Sequence, residues 1–256
     1  MLLKDKVCVI VGAASLRGIG YATAELFAEH GAKIVVVDLG MNDGVLGDIK
    51  GCIEQKVQRA ADVHGVWCDI ASAADCDRLV AEVVSRHGTI DCLVNSAAVV
   101  KAQPLLSIDE EDYDLVLRVN LKGSFNLCKS VLGVFRDRRS GVIVNVASVA
   151  AQRGGGLVGG AHYAASKGGV ISLTKTIARE FGPLGIRANV VCPSMTETGM
   201  LDGMTAEKFE ELVEAIPLQR AGRPVDIAGA CLFLASDLSA YVTGATIDVN
   251  GGSHIH

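Results

Sequence analysis

Aromatic residues and prolines are scarce in this chain of 256 residues. Phe, Trp and Tyr make up 4% of it, and the five prolines are scattered singly. The sequence also has no Pro/Ser-rich run, no block of like charges and no repeat of fixed period, so nothing in it indicates a linker between domains. A chain of this length can bury a sizeable core. We therefore predict one continuous domain over residues 1–256.

Paired cysteines and metal-ligand motifs are absent as well. The eight cysteines include no CxxC pair, and the six histidines show no HExxH spacing. Cysteines in or beside apolar runs are typical of small buried thiols, and four are of this kind: Cys8, Cys68, Cys92 and Cys192. His254 and His256 form a C-terminal HxH, which we interpret as a loose tail. The sequence therefore predicts neither disulfides nor a metal site.

Strong net charge and long apolar runs are missing too. The net charge is −5, and the densest basic cluster, Arg136–Arg139, contains Asp137 and is typical of a helix end, which argues against a nucleic-acid partner. The apolar run Val7–Val11, behind Lys4 and Lys6, is too short for the core of a signal peptide. No run of the sequence approaches the length of a membrane span. We expect a cytoplasmic protein without nucleic-acid or membrane partners.

Hydrophobic residues and glycine are abundant, at 50% and at 29 positions, which is typical of parallel sheets joined by tight turns. Seven apolar, β-branched runs predict strands: Lys6–Val11, Lys33–Val37, Gly65–Cys68, Asp91–Val94, Val142–Val146, Arg187–Val191 and Thr246–Val249. Helical patterns separate most of them: Ile19–His30, Asp48–Ala60, Ala73–His87, Asp109–Phe135, His162–Phe181 and Pro224–Ala235. Alternating strands and helices imply right-handed crossovers. We predict an α/β protein with a Rossmann-type, doubly wound, seven-stranded parallel sheet and helices on both faces.

A glycine-rich turn follows the first predicted strand. It contains Gly12, Gly18 and Gly20 and leads directly into a predicted helix. Glycines let the backbone turn sharply and approach a pyrophosphate, while a helix N-terminus presents free N–H groups and a positive dipole end. The alternative is a turn with a purely structural role. The order strand, turn, helix favours dinucleotide binding.

Two side chains bear on the choice between NAD and NADP. Asp38 follows the second predicted strand, eighteen residues past Gly20, where a carboxylate accepts hydrogen bonds from the adenosine ribose and repels a 2′-phosphate. Arg17 lies in the glycine-rich turn and could instead contact a phosphate. We give Asp38 the greater weight because it acts directly at the ribose. The sequence therefore predicts NAD, with NADP as the less favoured cofactor.

The sequence Tyr163-Ala-Ala-Ser-Lys167 suggests an acid/base pair. Residues four apart share a helix face, and a lysine ammonium favours the phenolate of a nearby tyrosine, whose pKa is otherwise about 10. Ser148 lies fifteen residues before Tyr163, after the fifth predicted strand, where its hydroxyl can bond an oxygen that gains charge. The alternatives are a solvated lysine beside a half-buried tyrosine, and a turn serine. Together the three residues favour a nicotinamide-dependent oxidoreductase in which Tyr163 exchanges the substrate's hydroxyl proton.

The ordered motifs resemble those of the classical short-chain dehydrogenase/reductase (SDR) family from the first strand to Gly252. The glycine-rich turn resembles the family's TGxxxGxG loop, and Asn95–Ala98 resembles its NNAG segment. Four residues match the family's catalytic tetrad: Asn120, Ser148, Tyr163 and Lys167. The resemblance implies that Asn120 anchors a water that relays protons from Lys167. It also implies that Lys167 holds the hydroxyls of the nicotinamide ribose.

The resemblance further implies a set of cofactor contacts. They lie in the glycine-rich turn, after the next three strands, in the acid/base pair and in a PGxxxT-like segment: Gly12, Ser15, Arg17, Gly18, Ile19, Gly20, Asp38, Leu39, Asp69, Ile70, Asn95, Ala97, Tyr163, Lys167, Pro193, Thr196 and Thr198. The chain departs from the family pattern in a glycine-rich turn longer by two residues. It also has Ala98 and Ser194 where the family has glycine. We expect local adjustments of the cofactor contacts at these places.

The sequence defines the substrate less closely. A substrate lid is expected around residues 195–217, where polar and apolar side chains mix: Thr196, Met200, Leu201, Met204 and Phe209. Gln152, Arg153 and His162 flank the predicted catalytic residues and could bind hydroxyls or a carboxylate. The segment that contains Arg153–Gly156 is longer than in the family, and we expect it to border the substrate pocket.

We favour a small polar secondary alcohol, such as a polyol or sugar, or its ketone, as the substrate. One alternative is a 3-oxoacyl thioester reduced with NADP(H), and another is a dinucleotide-binding sensor without turnover. The resemblance also implies a homotetramer, assembled through the long helices predicted at Asp109–Phe135 and His162–Phe181 and through the C-terminal strands.

Overall fold

The chain folds around one parallel β-sheet. The computed structural model describes residues 1–155 and 159–256. In these ranges the sheet has seven strands in the order β3-β2-β1-β4-β5-β6-β7, and every neighbouring pair is parallel. The strands are β1 (Val7–Val11), β2 (Lys33–Asp38), β3 (Val63–Trp67), β4 (Cys92–Asn95), β5 (Gly141–Val146), β6 (Ile186–Pro193) and β7 (Thr246–Val249). The predicted doubly wound, Rossmann-type sheet is confirmed.

Helices cover both faces of this sheet. In the described ranges they are α1 (Ile19–Glu29), α2 (Asp43–Val57), α3 (Ala73–His87), α4 (Glu110–Leu117), α5 (Gly123–Arg138), α6 (Ala150–Arg153), α7 (Ala161–Phe181), α8 (Ala206–Glu214) and α9 (Pro224–Ala235). Successive strand residues point to opposite faces, so β1 contributes Ile10 to a buried cluster with Phe27 of α1. Its neighbour Val9 belongs to the cluster on the other face, with Leu79 of α3 and Phe135 of α5. These two apolar layers form the core.

Most predicted elements are present, but the helix predicted at Asp48–Ala60 begins earlier, as α2. The side chain of Asn42 accepts a hydrogen bond from the backbone N–H of Val45 (3.1 Å) and so caps the N-terminus of α2. Gln58 ends the helix in the left-handed conformation, with φ of +55°. Exposed glycines such as Gly44 weaken the helical pattern in the first turns, which explains the misplaced start.

The long helix predicted at Asp109–Phe135 is divided in the structure. A π-helical turn, Arg118–Lys122, separates α4 from α5. Asn120 in this turn is fully buried and bonds through its side-chain amide to Val99 and Ser166, outside its own helix. Such a wider turn accommodates a side chain whose partners lie on neighbouring segments.

The C-terminal tail is fastened rather than loose, which corrects the interpretation of the HxH motif. His256 Nε2 lies 2.9 Å from Asp248 Oδ2, and His254 Nε2 lies 3.3 Å from His256 Nδ1. The four cysteines predicted to be buried are buried, and all eight cysteines are free thiols in the part of the chain that the structure describes. None of the helices in residues 1–155 and 159–256 is long and apolar enough to cross a membrane.

Candidate active site

The predicted site residues converge at the carboxyl ends of the strands. Gly12 follows β1, Asn95 ends β4, Ser148 follows β5 and Pro193 ends β6. The sheet changes winding direction between β1 and β4, because β2 and β3 lie on one side of β1 and the later strands on the other. Such a switch point is where open α/β sheets form a ligand crevice.

The glycine-rich turn is pressed against the end of β4. Gly12 has φ of +82°, and a Cβ on it would lie 2.6 Å from the backbone nitrogen of Ala97. A Cβ on Gly20 would lie 2.2 Å from the carbonyl oxygen of Gly12. Since real Cβ atoms do not come so close to backbone atoms, both positions require glycine.

The N-terminus of α1, which follows this turn, has no side-chain cap. Gly18 occupies the N-cap position and offers no side chain, whereas Asn42, Ser72 and Asp109 cap α2, α3 and α4. The first N–H groups of α1 are therefore available to an anion, and the helix dipole favours negative charge there. This arrangement fits the pyrophosphate of a dinucleotide.

Arg17 in the same turn is engaged by the predicted lid segment. Its guanidinium forms two hydrogen bonds with the carboxylate of Asp202, at 3.1 and 2.8 Å, and both side chains are exposed. Ser15 Oγ accepts the backbone N–H of Arg17 at 3.4 Å, and Ile19 lines the adjacent cavity. An ion pair thus joins the glycine-rich turn to residues 195–217.

Asp38, at the end of β2, accepts hydrogen bonds from two backbone N–H groups. Its Oδ2 accepts the N–H of Ala14 in the glycine-rich turn (3.1 Å), and its Oδ1 accepts the N–H of Gly40 (3.0 Å). Each carboxylate oxygen has a further lone pair, so Asp38 keeps the capacity to accept ribose hydroxyls. Leu39 beside it is 62% exposed.

The site residues predicted after β3 and β4 form hydrogen bonds that hold the chain at the ends of these strands. Asp69 Oδ1 accepts the N–H of Ala71 (2.9 Å), and the buried Ile70 accepts a hydrogen bond from Asn126 through its carbonyl oxygen (2.9 Å). Asn95 donates to Ser124 Oγ (2.9 Å) and accepts the N–H of Ala97 (3.3 Å). These hydrogen bonds fix the crevice on the side of α5.

Seven predicted site residues line one cavity of about 280 Å³: Ile19, Ser148, Tyr163, Lys167, Pro193, Thr196 and Thr198. Tyr163 and Lys167 are both buried on α7, and the Lys167 ammonium lies 5.9 Å from the centre of the Tyr163 ring. The shared helix face inferred from the four-residue spacing therefore places both side chains at the same cavity.

The pKa values of this pair depend mainly on burial. Burial raises the pKa of Tyr163, and a hydrogen bond from Ser148 lowers it. Lys167 donates from Nζ to the carbonyl oxygen of Val146 (2.8 Å), and burial lowers its pKa to about 8. The effect of Lys167 on the pKa of Tyr163 stays a prediction, with the ammonium 5.9 Å from the centre of the Tyr163 ring.

Asn120 connects the end of β4 to α7. Its Oδ1 accepts the N–H of Val99 (2.9 Å), and its Nδ2 donates to the carbonyl of Val99 (2.9 Å) and to Ser166 Oγ (3.1 Å). Both amide hydrogens are thereby used. The side chain holds the backbone beside the cavity, close in sequence to the lining residues Ala98 and Val100.

The segment after β6 folds across the cavity. Ser194 Oγ donates to the carbonyl oxygen of Asn250 (3.0 Å), and Thr196 Oγ1 donates to that of Ser194 (3.0 Å). Of the predicted lid residues, Thr196, Met200 and Leu201 line the cavity. Met204 and Phe209 do not lie among the lining residues.

Helix α8 lies within the lid predicted at 195–217 but was not predicted as a helix, and the contribution of the C-terminus was not predicted. Leu212 of α8, Ile216 just after it and Ser253 near the chain end all line the cavity. The signal that could have indicated α8 is the helical spacing of Phe209, Leu212, Val213 and Ile216 in the sequence. Gly154 and Gly155 of the longer segment also line the cavity as predicted, whereas its Gly156 lies outside the described residues.

Comparisons with known proteins agree with this architecture. The family model described as enoyl-(acyl carrier protein) reductase matches residues 12–254. The chain is 45% identical to an uncharacterized short-chain type dehydrogenase/reductase of Sinorhizobium fredii, over 100% of both chains. It belongs to the SDR family.

Two further comparisons extend this result. A 3-oxoacyl-(acyl-carrier-protein) reductase of Thermotoga maritima is 41% identical, with 98% of this chain and 99% of the relative covered. The crystal structure of levodione reductase matches with a TM-score of 0.91 and 33% identity, over 98% of each chain. The resemblance found in the sequence is confirmed. Family membership makes the chain an SDR oxidoreductase that acts on carbonyl or alcohol groups and binds a nicotinamide dinucleotide.

Proposed function

We propose that this SDR protein interconverts a secondary alcohol and its ketone with NAD(H). The observation that carries the proposal is the position of Tyr163, buried beside Ser148 and Lys167 in a cavity next to the glycine-rich turn. A bound dinucleotide would supply the hydride acceptor or donor. The chain's own residues then have to position the substrate oxygen and transfer its proton.

Tyr163 is the proposed acid/base. As a phenolate it takes the proton of the substrate hydroxyl, and as a phenol it returns the proton to the ketone oxygen. Ser148 hydrogen-bonds the same oxygen as its charge changes. Because burial raises the pKa of Tyr163, the phenol is the dominant form near neutral pH.

Lys167 and Asn120 have supporting roles in this proposal. Lys167 brings a positive charge to the cavity and offers the N–H donors that would hold ribose hydroxyls. Asn120 is proposed to anchor the water that relays protons from Lys167. Its position supports this role, because its side chain bonds the backbone of Val99, which stands between the lining residues Ala98 and Val100.

The cavity supports a substrate with an apolar body. Beyond the catalytic residues, much of its wall is hydrophobic, including Val100, Val149, Met200, Leu201, Leu212 and Ile216. Each hydroxyl of a polyol or sugar would need a fixed polar partner, since an unpaired polar group in a buried site costs binding energy. We therefore place secondary alcohols with a hydrocarbon body, together with their ketones, ahead of polyols and sugars.

A 3-oxoacyl thioester is the second candidate substrate. The 41% identity to the Thermotoga maritima reductase favours it, and the apolar wall suits an acyl chain. A sensor without turnover is less favoured, because it would not need Ser148, Tyr163 and Lys167 together. The proposal also includes a cytoplasmic setting and no nucleic-acid partner.

Replacing Tyr163 with Phe tests the chemical step. We expect kcat to fall by a factor of roughly 10²–10⁴, while the affinity for the dinucleotide, measured by fluorescence titration, stays within twofold. Tyr21→Phe is the matched control, because Tyr21 bonds Glu25 on α1 (2.7 Å) and lies outside the cavity. Activity that survives Tyr163→Phe would show that another group is the acid/base.

Replacing Asp38 with Ala tests the proposed preference for NAD. The preference is measured as the ratio of kcat/KM with NAD to kcat/KM with NADP, on one alcohol. Since the carboxylate no longer repels a 2′-phosphate, we expect this ratio to fall at least tenfold, or about 1.4 kcal/mol. Asp43→Ala, in the first turn of α2, is the control. An unchanged ratio would mean that another residue sets the preference.

A further inference from the structure

Three side chains near the catalytic residues were candidates for substrate contacts, and the structure separates them. Gln152 is engaged by the C-terminal part of the chain, since its Nε2 donates to Asp248 Oδ1 (2.9 Å). His162 is buried, and neither it nor Gln152 lies among the residues that line the cavity. Arg153, at the end of α6, does line it.

Arg153 brings an uncompensated positive charge to this cavity. The only hydrogen bond of its side chain in the described ranges is from Nη1 to the carbonyl oxygen of Ser253 (2.8 Å), and no carboxylate there lies within 4.0 Å of the guanidinium. A guanidinium has five N–H donors, so most of them stay available. Lys167 is the other ionisable cation in the described lining, which includes no Asp or Glu.

The position of Arg153 sets where an anion would bind. It follows Ser148 by five residues, at the end of the short helix α6, and both residues line the cavity. The same cavity is lined by apolar residues such as Val149, Met200 and Leu201. A bound molecule would therefore present its carbonyl to Ser148 and Tyr163, a hydrocarbon part to the wall and a negative group to Arg153.

We propose that Arg153 binds a carboxylate of the substrate, which is an aliphatic oxo acid or the corresponding hydroxy acid. This inference rests on the proposed function of the same site and narrows its substrate class. A guanidinium matches a carboxylate with two parallel hydrogen bonds. It discriminates against a neutral ester because the ester lacks the charge.

The test compares oxo acids with their methyl esters. Reduction is measured for the wild type, Arg153→Gln and Arg153→Lys. The substrates are 4-oxopentanoate, 5-oxohexanoate and 6-oxoheptanoate, each compared with its methyl ester. For the best chain length, we expect kcat/KM of the wild type to favour the acid over the ester by at least tenfold. Arg153→Gln removes this preference by lowering kcat/KM for the acid alone, and Arg153→Lys restores part of it. Arg136→Gln, an exposed arginine paired with Asp137 on α5, is the control.

Arg153 could instead serve only to hold Ser253, and the same assay separates the two roles. If it did, Arg153→Gln would lower kcat/KM for acid and ester equally, which would overturn the proposal. A chain that ends at Gly252 lacks the Ser253 carbonyl but keeps Arg153, so we expect it to retain the acid-to-ester ratio. A wild type without acid preference would also overturn the proposal.

Binding without turnover distinguishes a failure of this inference from a failure of the proposed function. In Tyr163→Phe loaded with NAD(H), calorimetry should show the oxo acid binding at least tenfold more tightly than in Tyr163→Phe/Arg153→Gln. Equal affinities would overturn the role of Arg153, whatever the result for turnover. A clear difference in affinity together with an inactive wild type would refute the proposed reaction and leave the carboxylate site standing.

Discussion

Lys167 shows how a single residue of the candidate site affects stability. It is 3% exposed, and its Nζ donates to the carbonyl of Val146, a neutral partner. Burial lowers its pKa from 10.5 to about 8, so the unfolded chain binds this proton more tightly than the folded chain. The contribution of Lys167 to the free energy of unfolding therefore increases as pH rises from about 8 to 10.5.

Replacing Lys167 with Met should stabilise the protein while removing activity. At pH 7 we expect the free energy of unfolding, measured with urea, to rise by roughly 1–3 kcal/mol, because a buried charge is replaced by an apolar side chain of similar length. The gain should shrink between pH 8 and 10.5, where the folded wild type already carries a neutral lysine.

Lys175→Met is the matched control for this measurement. Lys175 lies on the same helix but is exposed, so its replacement should change stability by less than about 0.5 kcal/mol at any pH. If Lys167→Met were no more stable than the wild type at pH 7, the hydrogen bond to Val146 would outweigh the cost of burying the charge.

Elements with a strong local signal were predictable from the sequence. The strands at the centre of the sheet are buried apolar runs such as Val7–Val11, and this composition is enough to identify them as strands. Helix α7 was predicted to within one residue at its start, because its apolar positions recur with helical spacing over five turns or more. The glycine-rich turn and the YxxxK spacing were predictable for the same reason, since each depends on neighbours in the sequence.

Contacts between distant elements were not predictable in this way. The ion pair of Arg17 with Asp202 joins residues 185 positions apart, and Ser253 reaches the cavity from the chain end. The π-helical turn at Asn120 likewise depends on partners on other segments, Val99 and Ser166. A periodic pattern reports which face of an element is apolar and carries no information about such partners.

At the scale of the whole molecule, two sets of exposed apolar side chains bear on assembly. The first set lies on and before α4 and α5: Leu105, Leu106, Tyr113 and Phe125. The second set lies on α9 and the segment that leads to the edge strand β7: Val225, Phe233, Leu238 and Tyr241. Large exposed apolar patches mark interaction surfaces. Their positions support the homotetramer expected from the resemblance, which placed contacts on the long helices and the C-terminal strands.

The oligomeric state gives the last prediction. We expect light scattering after size exclusion to give the mass of four chains of 26.7 kDa. Phe125→Glu and Tyr241→Glu should each reduce the assembly to pairs of chains, and the double variant should give single chains, because an unpaired charge buried in an interface costs several kcal/mol. Trp67→Glu is the control, since this exposed aromatic lies on β3, at the opposite edge of the sheet. A wild type that migrates as a single chain would contradict the prediction, and a tetramer that survives both substitutions would place the contacts on other surfaces.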